Sequence, residues 1–352
     1  IQPFRKTLYT KNNILHSPNL INSVWHKILN KNDADLINLH WIQKEMISIK
    51  NINQIKKPIV WTFHDMWPMC GAEHVSWDNR WEEGYLRSNR PIHERGFDLN
   101  RYVWNQKRIL WKKKFQIVTP SSWLAKCVNN SYLFRDFSVM VIPHCLDLDK
   151  WKPLDKDYAR EILGFPKNEK ILLIGTLNSN DDHNKGFDLL VDSLKALKKN
   201  NEIRIIIFGQ DKHKQKYEIN YPTDYFGRID TYDGMRELYS AADLMLVPSR
   251  IESFSNIAME AQACGTPVVA FRTSGLIDVV EHMKTGYLAN KYDPIDFAYG
   301  INWSLENLSK SSYYNYAARE RAYKEWNQER VSSLYKNLYQ KVIEDFETLK
   351  NK

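Results

Sequence analysis

Short apolar runs rich in β-branched residues recur along this chain, separated by longer stretches in which apolar and charged residues alternate at helical spacing. The runs cover 36–39, 58–63, 115–119 and 139–142, then 171–176, 203–208, 244–247 and 267–271. Runs of this length suit strands buried on both faces. Their repetition with helical stretches between them predicts parallel sheets covered by helices on both sides, an α/β architecture.

At 352 residues the chain exceeds what one ordinary hydrophobic core holds, and two domains are expected. The strand rhythm lapses between Leu146 and Lys170 into a charged, proline-containing segment, Lys150-Trp-Lys-Pro153 and then Phe165-Pro-Lys167. This predicts a first domain over 1–151 and a second over 152–312. Beyond Asn290 no further strand is read, and 313–350 has aromatics and leucines at three-to-four spacing with charges between, a helical pattern. No internal repeat or low-complexity tract interrupts the chain.

An apolar content of 43% with 26% charged residues is that of a globular protein. No stretch approaches the roughly 20 apolar residues of a membrane-spanning helix. Cys70, Cys127, Cys145 and Cys264 are scattered with no CxxC pair, so they read as free thiols in a reducing compartment. The sequence starts at Ile1 with no positive-then-apolar export signal, and a cytoplasmic location is expected. The formal charge of +8 attracts anions, whether phosphate-bearing substrates, acidic lipid or nucleic acid. Zinc-finger spacing, an RNP-like aromatic motif and a helix-turn-helix are all missing, so nucleic acid is not expected as a partner. The segment 100–114 mixes aromatics and cations at helical spacing. It suits either a helix lying on an anionic membrane or a domain helix with a basic solvated face.

The most informative segment runs from Val247 to Ala270, with Val247-Pro-Ser-Arg-Ile-Glu252-Ser253-Phe254-Ser255-Asn256 at its start. A strand gives way to a loop, a helix opens near Ser255 or Asn256, and Gly265-Thr-Pro267 ends it before the next strand. Unpaired amides at a helix N-terminus, at the carboxyl edge of a parallel sheet, attract phosphate. Glu252 precedes that helix and Glu260 lies about one turn inside it, so two carboxylates flank the place for a diphosphate. A carboxylate accepts from two neighbouring sugar hydroxyls at once. Upstream, the strand ending at Gly175 leads through a loop to Lys185-Gly186, and a lysine suits the dianionic diphosphate left when a sugar–phosphate bond breaks.

In these segments the chain resembles family 4 of the retaining glycosyltransferases, whose hallmark is Glu, seven residues, Glu at a loop-to-helix junction. The resemblance continues through Phe226-Gly-Arg228, Leu238-Tyr-Ser-Ala-Ala-Asp243, Pro248-Ser249 and Thr285-Gly-Tyr-Leu288. In the first domain, Asp35-Leu-Ile-Asn-Leu-His-Trp41 and Pro58-Ile-Val-Trp-Thr-Phe-His64-Asp65-Met-Trp-Pro68 resemble a bacterial exopolysaccharide and O-antigen branch. The resemblance implies a GT-B fold of two Rossmann-like domains facing across a cleft, with C-terminal helices over 313–352 returning to the first. It implies that Glu252 holds the donor hexose, Glu260 the nucleotide ribose, and Lys185 and the amides of Ser253, Phe254, Ser255 and Asn256 the diphosphate. Gly175 and Arg228 are expected at the nucleotide, and His64 near the reacting carbon.

No metal and no cofactor beyond the nucleotide sugar are expected, and the short Asp-x-Asp pairs at 33, 147 and 155 carry no metal reading. The chain departs from the family in two places. Gly175 is followed by Thr176 where the family has arginine, which leaves Lys185 or Arg250 to carry the charge. A first strand with a glycine-rich loop is also not found before Leu36, so part of the acceptor side is expected to be lacking. The function this implies is retaining transfer of a hexose to a polysaccharide or lipid-linked acceptor, with peripheral contact to an anionic membrane. A nucleotide-sugar epimerase and a donor-binding remnant without turnover are the rival readings.

Overall fold

The structure is a computed structural model, and it describes residues 14–176, 182–198, 202–209 and 217–350. The stretch 177–181 of the loop after Gly175 lies outside the described residues. The chain divides into two compact units, one formed by Ile1–Ile142 with Ser333–Lys352 and the other by Pro143–Ser332.

The first unit has a parallel sheet of β1 (Ile37–Leu39), β2 (Ile59–Thr62), β3 (Gln116–Thr119) and β4 (Val139–Val141), in that order. Its helices are α1 (Trp25–Lys31), α2 (Ile49–Asn53), α3 (Arg80–Glu83), α4 (Leu99–Leu110) and α5 (Ser122–Asn130). The core is aromatic: Trp61 packs against Phe63, Trp67, Trp111 and Phe115 with ring centroids 5.2–6.4 Å apart. Helix α4 covers much of the segment 100–114, and it is built into this core through Leu99, Val103 and Trp104. Its Lys107 is fully buried, donating to the carbonyls of Trp67, Cys70 and Gly71 with the ammonium 3.7 Å from the Trp67 ring. Burial pushes that lysine down to about 7. Between the two readings of the segment, the inward face of α4 is that of a domain helix.

The second unit contains α6 (Lys156–Leu163), β5 (Lys170–Gly175), α7 (Phe187–Ala196), β6 (Ile203–Phe208), β7 (Thr223–Tyr225), α8 (Tyr232–Ala241) and β8 (Leu244–Val247). It continues with α9 (Asn256–Ala263), β9 (Val268–Phe271), α10 (Leu276–Val279), β10 (Gly286–Ala289), α11 (Pro294–Lys310) and α12 (Tyr313–Glu325). The six strands pair in parallel in the order β10-β9-β8-β5-β6-β7. Successive residues of a strand face opposite sides. Ile171, Leu173 and Ile206 therefore enter one core beside α8 and α9, while Leu172, Ile174, Ile205 and Ile207 enter a second beside α7 and α11. Both units are Rossmann-like, and the α/β class holds.

Two strands escaped the sequence pattern. β7 reads Thr-Asp-Tyr, a polar edge strand, and β10 begins with a glycine and follows a turn. The unit boundary differs from the expected one as well. Leu146, Leu148 and Trp151 are buried in the second unit's core, so the division falls at Ile142, ahead of the charged segment chosen for its composition. At the C-terminus, α12 packs on α9 of the second unit, through Asn315 to the Gly265 carbonyl and Arg319 to the Ala263 carbonyl. Only the residues from Ser333, within α13 (Gln328–Lys350), belong to the first unit.

Asp243, which the motif reading left without a role, clasps the start of the second sheet. Its carboxylate accepts from Arg160 at 2.7 Å, from the Ile171 amide at 2.7 Å and from Lys156 at 3.0 Å. Arg160 is 4% exposed, and removing one partner of a buried pair strands the other. Asp243→Ala should lower the unfolding free energy by about 3–5 kcal/mol in urea denaturation. A loss below about 1 kcal/mol would mean that the carbonyls of Ala241 and Lys167, which also accept from Arg160, satisfy the guanidinium alone.

Candidate donor-binding site

In the second sheet the chain runs outward from β5 through β6 to β7 on one side and from β8 to β10 on the other. The switch point therefore lies between β5 and β8, where ligands of open parallel sheets bind outside the strand ends. Two loops leave there, one from Gly175 to Gly186 and one from Pro248 to Ser255, and a cleft of about 660 Å³ opens beside them. Gly175, Lys185, Arg228, Glu252, Phe254, Ser255, Asn256 and Glu260 all line it. Of the expected donor-site residues in this unit, Ser253 does not line it. His64 lies in the first unit.

Local chemistry fixes the loops. Gly186 has φ +64°, and a Cβ there would overlap the Pro248 carbonyl, so only glycine lets the two loops touch. The Arg250 amide donates to the Asn184 carbonyl at 2.7 Å. The Arg250 guanidinium forks onto Asp188 at 2.6 and 2.8 Å and holds its carboxyl below the usual range. Arg250 is thus committed to structure and does not line the cleft. That leaves Lys185 as the cation placed between Gly175 and Glu252.

Glu252 is held from several directions. Its carboxylate accepts from Lys185 at 2.7 Å and from Ser249 at 2.9 Å. Its amide donates to Ser274 Oγ at 2.9 Å and its carbonyl accepts from the Gly275 amide at 2.8 Å. A side chain on Gly275 would overlap the carbonyls of Glu252 and Ser253, so this turn too needs a glycine. The Glu252 carboxylate raises Lys185 above the usual lysine range, against the opposing effect of burial.

Helix α9 begins beside this pair. Its N-cap Ser255 makes no side-chain cap, and the buried Ser255 Oγ has no hydrogen-bond partner. The first-turn amides of Asn256, Ile257 and Ala258 have no acceptor within the helix. A buried hydroxyl and a cluster of unanswered amides form a ready anion site. One turn in, Glu260 accepts from the Tyr239 hydroxyl at 2.9 Å. Burial pushes the Glu260 carboxyl up to about 7, and the Tyr239 bond offsets part of that rise. Trp151, Phe208, Ile229, Met235 and Ile257 add apolar surface to the lining, beside Thr176, Asp230, Thr231 and Tyr232. Arg228 stands exposed at the rim, paired with Asp230 at 2.5 Å. The cleft thus brings together apolar surface, two carboxyl groups, a lysine and a helix N-terminus.

Residues 155–321 match the family model described as glycosyl transferases group 1. Over these residues, a little under half of the chain, it is similar to group 1 glycosyltransferases. A D-inositol 3-phosphate glycosyltransferase from Catenulispora acidiphila is 29% identical over 222 residues, which cover 58% of this chain and 51% of that protein. The chain therefore spans about half the length of that curated relative. Sucrose-phosphate synthase from Thermosynechococcus elongatus superposes with TM-score 0.69 at 20% identity, over 91% of this chain and 77% of that one. HepE from Anabaena, solved in complex with UDP, superposes with TM-score 0.62 at 19% identity, over 90% of this chain and 81% of that one. At such identities the structures establish a shared fold, that of GT-B glycosyltransferases.

The sequence brought Lys185, Glu252 and Glu260 to one place, and the fold of the second unit does so through the switch point. It missed the residues that hold them. Tyr239 stood inside a quoted motif, but nothing in its spacing tied it to Glu260, 21 positions on. Ser274 and Gly275 carry no local signal at all. Among the described residues, no three His, Cys, Asp or Glu side chains are grouped so as to hold a metal ion, and no helix is long and apolar enough to cross a membrane.

Gly186→Ala should cost at least about 1–3 kcal/mol from its left-handed backbone alone, with more from the Pro248 overlap. A thermal or urea unfolding comparison with Gly164→Ala checks the source of the loss. Gly164 shares the positive φ but has open space around its Cβ position, so equal losses would sink the close-approach argument.

Proposed function

We propose that this chain is a retaining glycosyltransferase that takes a hexose from a uridine-type nucleoside diphosphate sugar and passes it to a polysaccharide or lipid-linked acceptor. The observation that carries the reading is Lys185 bonded to Glu252 in one cleft with Glu260 and the N-terminus of α9. HepE's complex with UDP supports a uridine donor, and the similarity to group 1 glycosyltransferases supports glycosyl transfer.

In this reading the donor's diphosphate competes with Glu252 for the Lys185 ammonium. When the donor enters, its diphosphate takes the Lys185 ammonium and the α9 amides, and Glu252 is released to accept from the hexose hydroxyls. Glu260 accepts from the ribose hydroxyls, and the base lies against the apolar surface. As the sugar–phosphate bond breaks, the growing charge on the diphosphate is stabilised by an ammonium and a helix N-terminus already in place. Lys185 and α9 then do the electrostatic work that a metal does elsewhere. The family resemblance assigns His64 of the first unit a part in the transfer chemistry. No carboxylate is assigned as a nucleophile, so retention is assigned to front-face transfer. Where the acceptor is lipid-linked, the net charge of +8 favours peripheral contact with an anionic membrane.

A thermal-shift titration with UDP-, GDP-, ADP- and dTDP-sugars tests the donor site. A ligand binding only the folded state at a hundred times its Kd adds about 2.7 kcal/mol. UDP-sugars should stabilise the wild type, and Lys185→Ala and Glu260→Ala should each remove the effect. Stabilisation that survives both substitutions would move the site elsewhere. Product analysis after incubation without acceptor separates transfer from epimerisation, since only an epimerase would return an isomerised donor.

The Glu260 carboxyl gives a second test. Burial pushes it up to about 7, so it is partly protonated at neutral pH, and hydroxyls donating to it favour the charged form. Its pKa must fall on binding, so donor affinity should rise with pH up to and through about 7 and level off above. A diphosphate esterified at both ends has no titrating group there. Calorimetric Kd values from pH 6 to 8 should show this slope in the wild type and lose it in Glu260→Gln. A slope unchanged in the variant would take the ribose contact away from Glu260.

A further inference from the structure

Tyr239 and Glu260 meet where α8 and α9 pack beside the cleft. The Tyr239 hydroxyl donates to Glu260 Oε2 at 2.9 Å. Among the described residues it is the one side chain hydrogen-bonded to that carboxyl. Tyr239 is 0% exposed. Its ring lies beside Trp151 and Phe208, with centroids 5.9 and 6.1 Å away, and its carbonyl accepts from Thr266 Oγ1 at 2.6 Å. Glu260, by contrast, lines the cleft. A buried, packed ring thus occupies one oxygen of a carboxyl that borders the ligand space. The glycosyl-transfer reading gives this tyrosine no task.

The direction of this bond is set by chemistry. Burial lifts Tyr239 well above the usual phenol range, so it keeps its proton and donates whenever Glu260 is ionised. Burial opposes the ionised carboxylate, and the hydroxyl supports it. The other titratable groups nearby are engaged elsewhere. Arg236 on α8 pairs with Asp233 at 3.4 Å. Arg319 on α12 donates to the carbonyls of Leu148, Trp151 and Ala263. Lys185 is bonded to Glu252, and Arg228 to Asp230. Cys264, one turn further along α9, is pushed up to about 12 by burial and carries no charge at neutral pH. That leaves the Tyr239 hydroxyl as the group that favours a charged Glu260.

We infer that Tyr239 is a positioning residue for Glu260, holding Oε2 so that an ionised carboxylate borders the cleft and Oε1 is left for the hydroxyls of the ligand. This deepens the proposed function and rests on its reading of Glu260 as the acceptor for the donor's ribose. An ionised carboxylate only accepts, whereas a carboxylic acid carries an O–H of its own. Two ribose hydroxyls arriving as donors therefore need the ionised form. Without the phenol, the apolar surroundings would hold Glu260 as the acid over more of the neutral range.

The test uses the full chain. Glutamate labelled with ¹³C at the side-chain carboxyl, assigned with Glu260→Gln, reports the Glu260 titration without any ligand. A hydrogen bond to a charged group is worth about one to two pH units, so the midpoint should rise by that much in Tyr239→Phe. In calorimetry with UDP-glucose, Tyr239→Phe should bind roughly 5- to 50-fold more weakly at pH 7, and the gap should close to about twofold or less by pH 9. Thr266→Val disturbs the same tyrosine through its carbonyl but keeps the hydroxyl, so it should leave both profiles in place. Fluorotyrosine at position 239 is a stronger donor and should move the midpoint to lower pH, a direction that damaged packing does not produce, and it serves even where Tyr239→Phe fails to fold. An unmoved midpoint in both Tyr239 variants, or an affinity loss of the same factor at every pH, would overturn the inference. Absent UDP-glucose binding by the wild type, beside a midpoint that moves as expected, would sink the donor reading while supporting the hold of Tyr239 on Glu260.

Discussion

The approach of two loops at the switch point of the second sheet governs how the candidate site forms. Gly186 brings its backbone against the Pro248 carbonyl, and the Asn184 carbonyl accepts from the Arg250 amide. Backbone contact this close sets the spacing of everything attached. Lys185 is next to the glycine and Glu252 two residues past the arginine, so their 2.7 Å contact is a product of main-chain packing. Arg250 and Asp188 clamp the same junction from behind. The charges facing the cleft and the charges holding the loops are therefore separate sets, and only the first set is available to a ligand.

The site also divides its two carboxyls by environment. Glu252 is surrounded by donors, from Lys185, Ser249 and its own backbone partners. Glu260 has the Tyr239 hydroxyl and is otherwise pressed against apolar surface, which moves its proton affinity into the neutral range. Two identical side chains eight positions apart thus stand in different surroundings, because one emerges from a polar loop and the other from a packed helix.

Much of this was legible in the sequence for a definite reason. Buried parallel strands are continuous apolar runs, and eight of the ten could be seen that way. β7 and β10 could not, because an edge strand such as Thr-Asp-Tyr needs no apolar character and a glycine start gives no β signal. The helix opening at Asn256 was visible from its neighbours and from the Gly265 stop. Lys185, Glu252 and Glu260 were visible because loop-to-helix junctions have local signatures. Arg250 was a poor guess for a second cation, since sequence spacing does not reveal that Asp188, 62 positions away, occupies it. Tyr239 and Ser274 became relevant only through contacts between distant segments. The unit boundary was misjudged because charge and proline mark exposed turns, while Leu146 ahead of that segment and Trp151 within it belong to the second core.

Helix α13 has a further bearing on how such a chain is put together. Its first residues belong to the second unit and those from Ser333 to the first, where Tyr339 accepts from Asn38 of β1 and Tyr335 lies 3.1 Å from Thr62 of β2. Along the chain, the second unit is therefore an insertion into the first: it starts and finishes inside a unit whose own sheet is secured by residues nearly three hundred positions later. During synthesis from the N-terminus, the first sheet has to wait for those tyrosines until the entire second unit has been made. The inserted unit has no such wait, and its residues form one uninterrupted segment that can be lifted out, exchanged or recombined as a module.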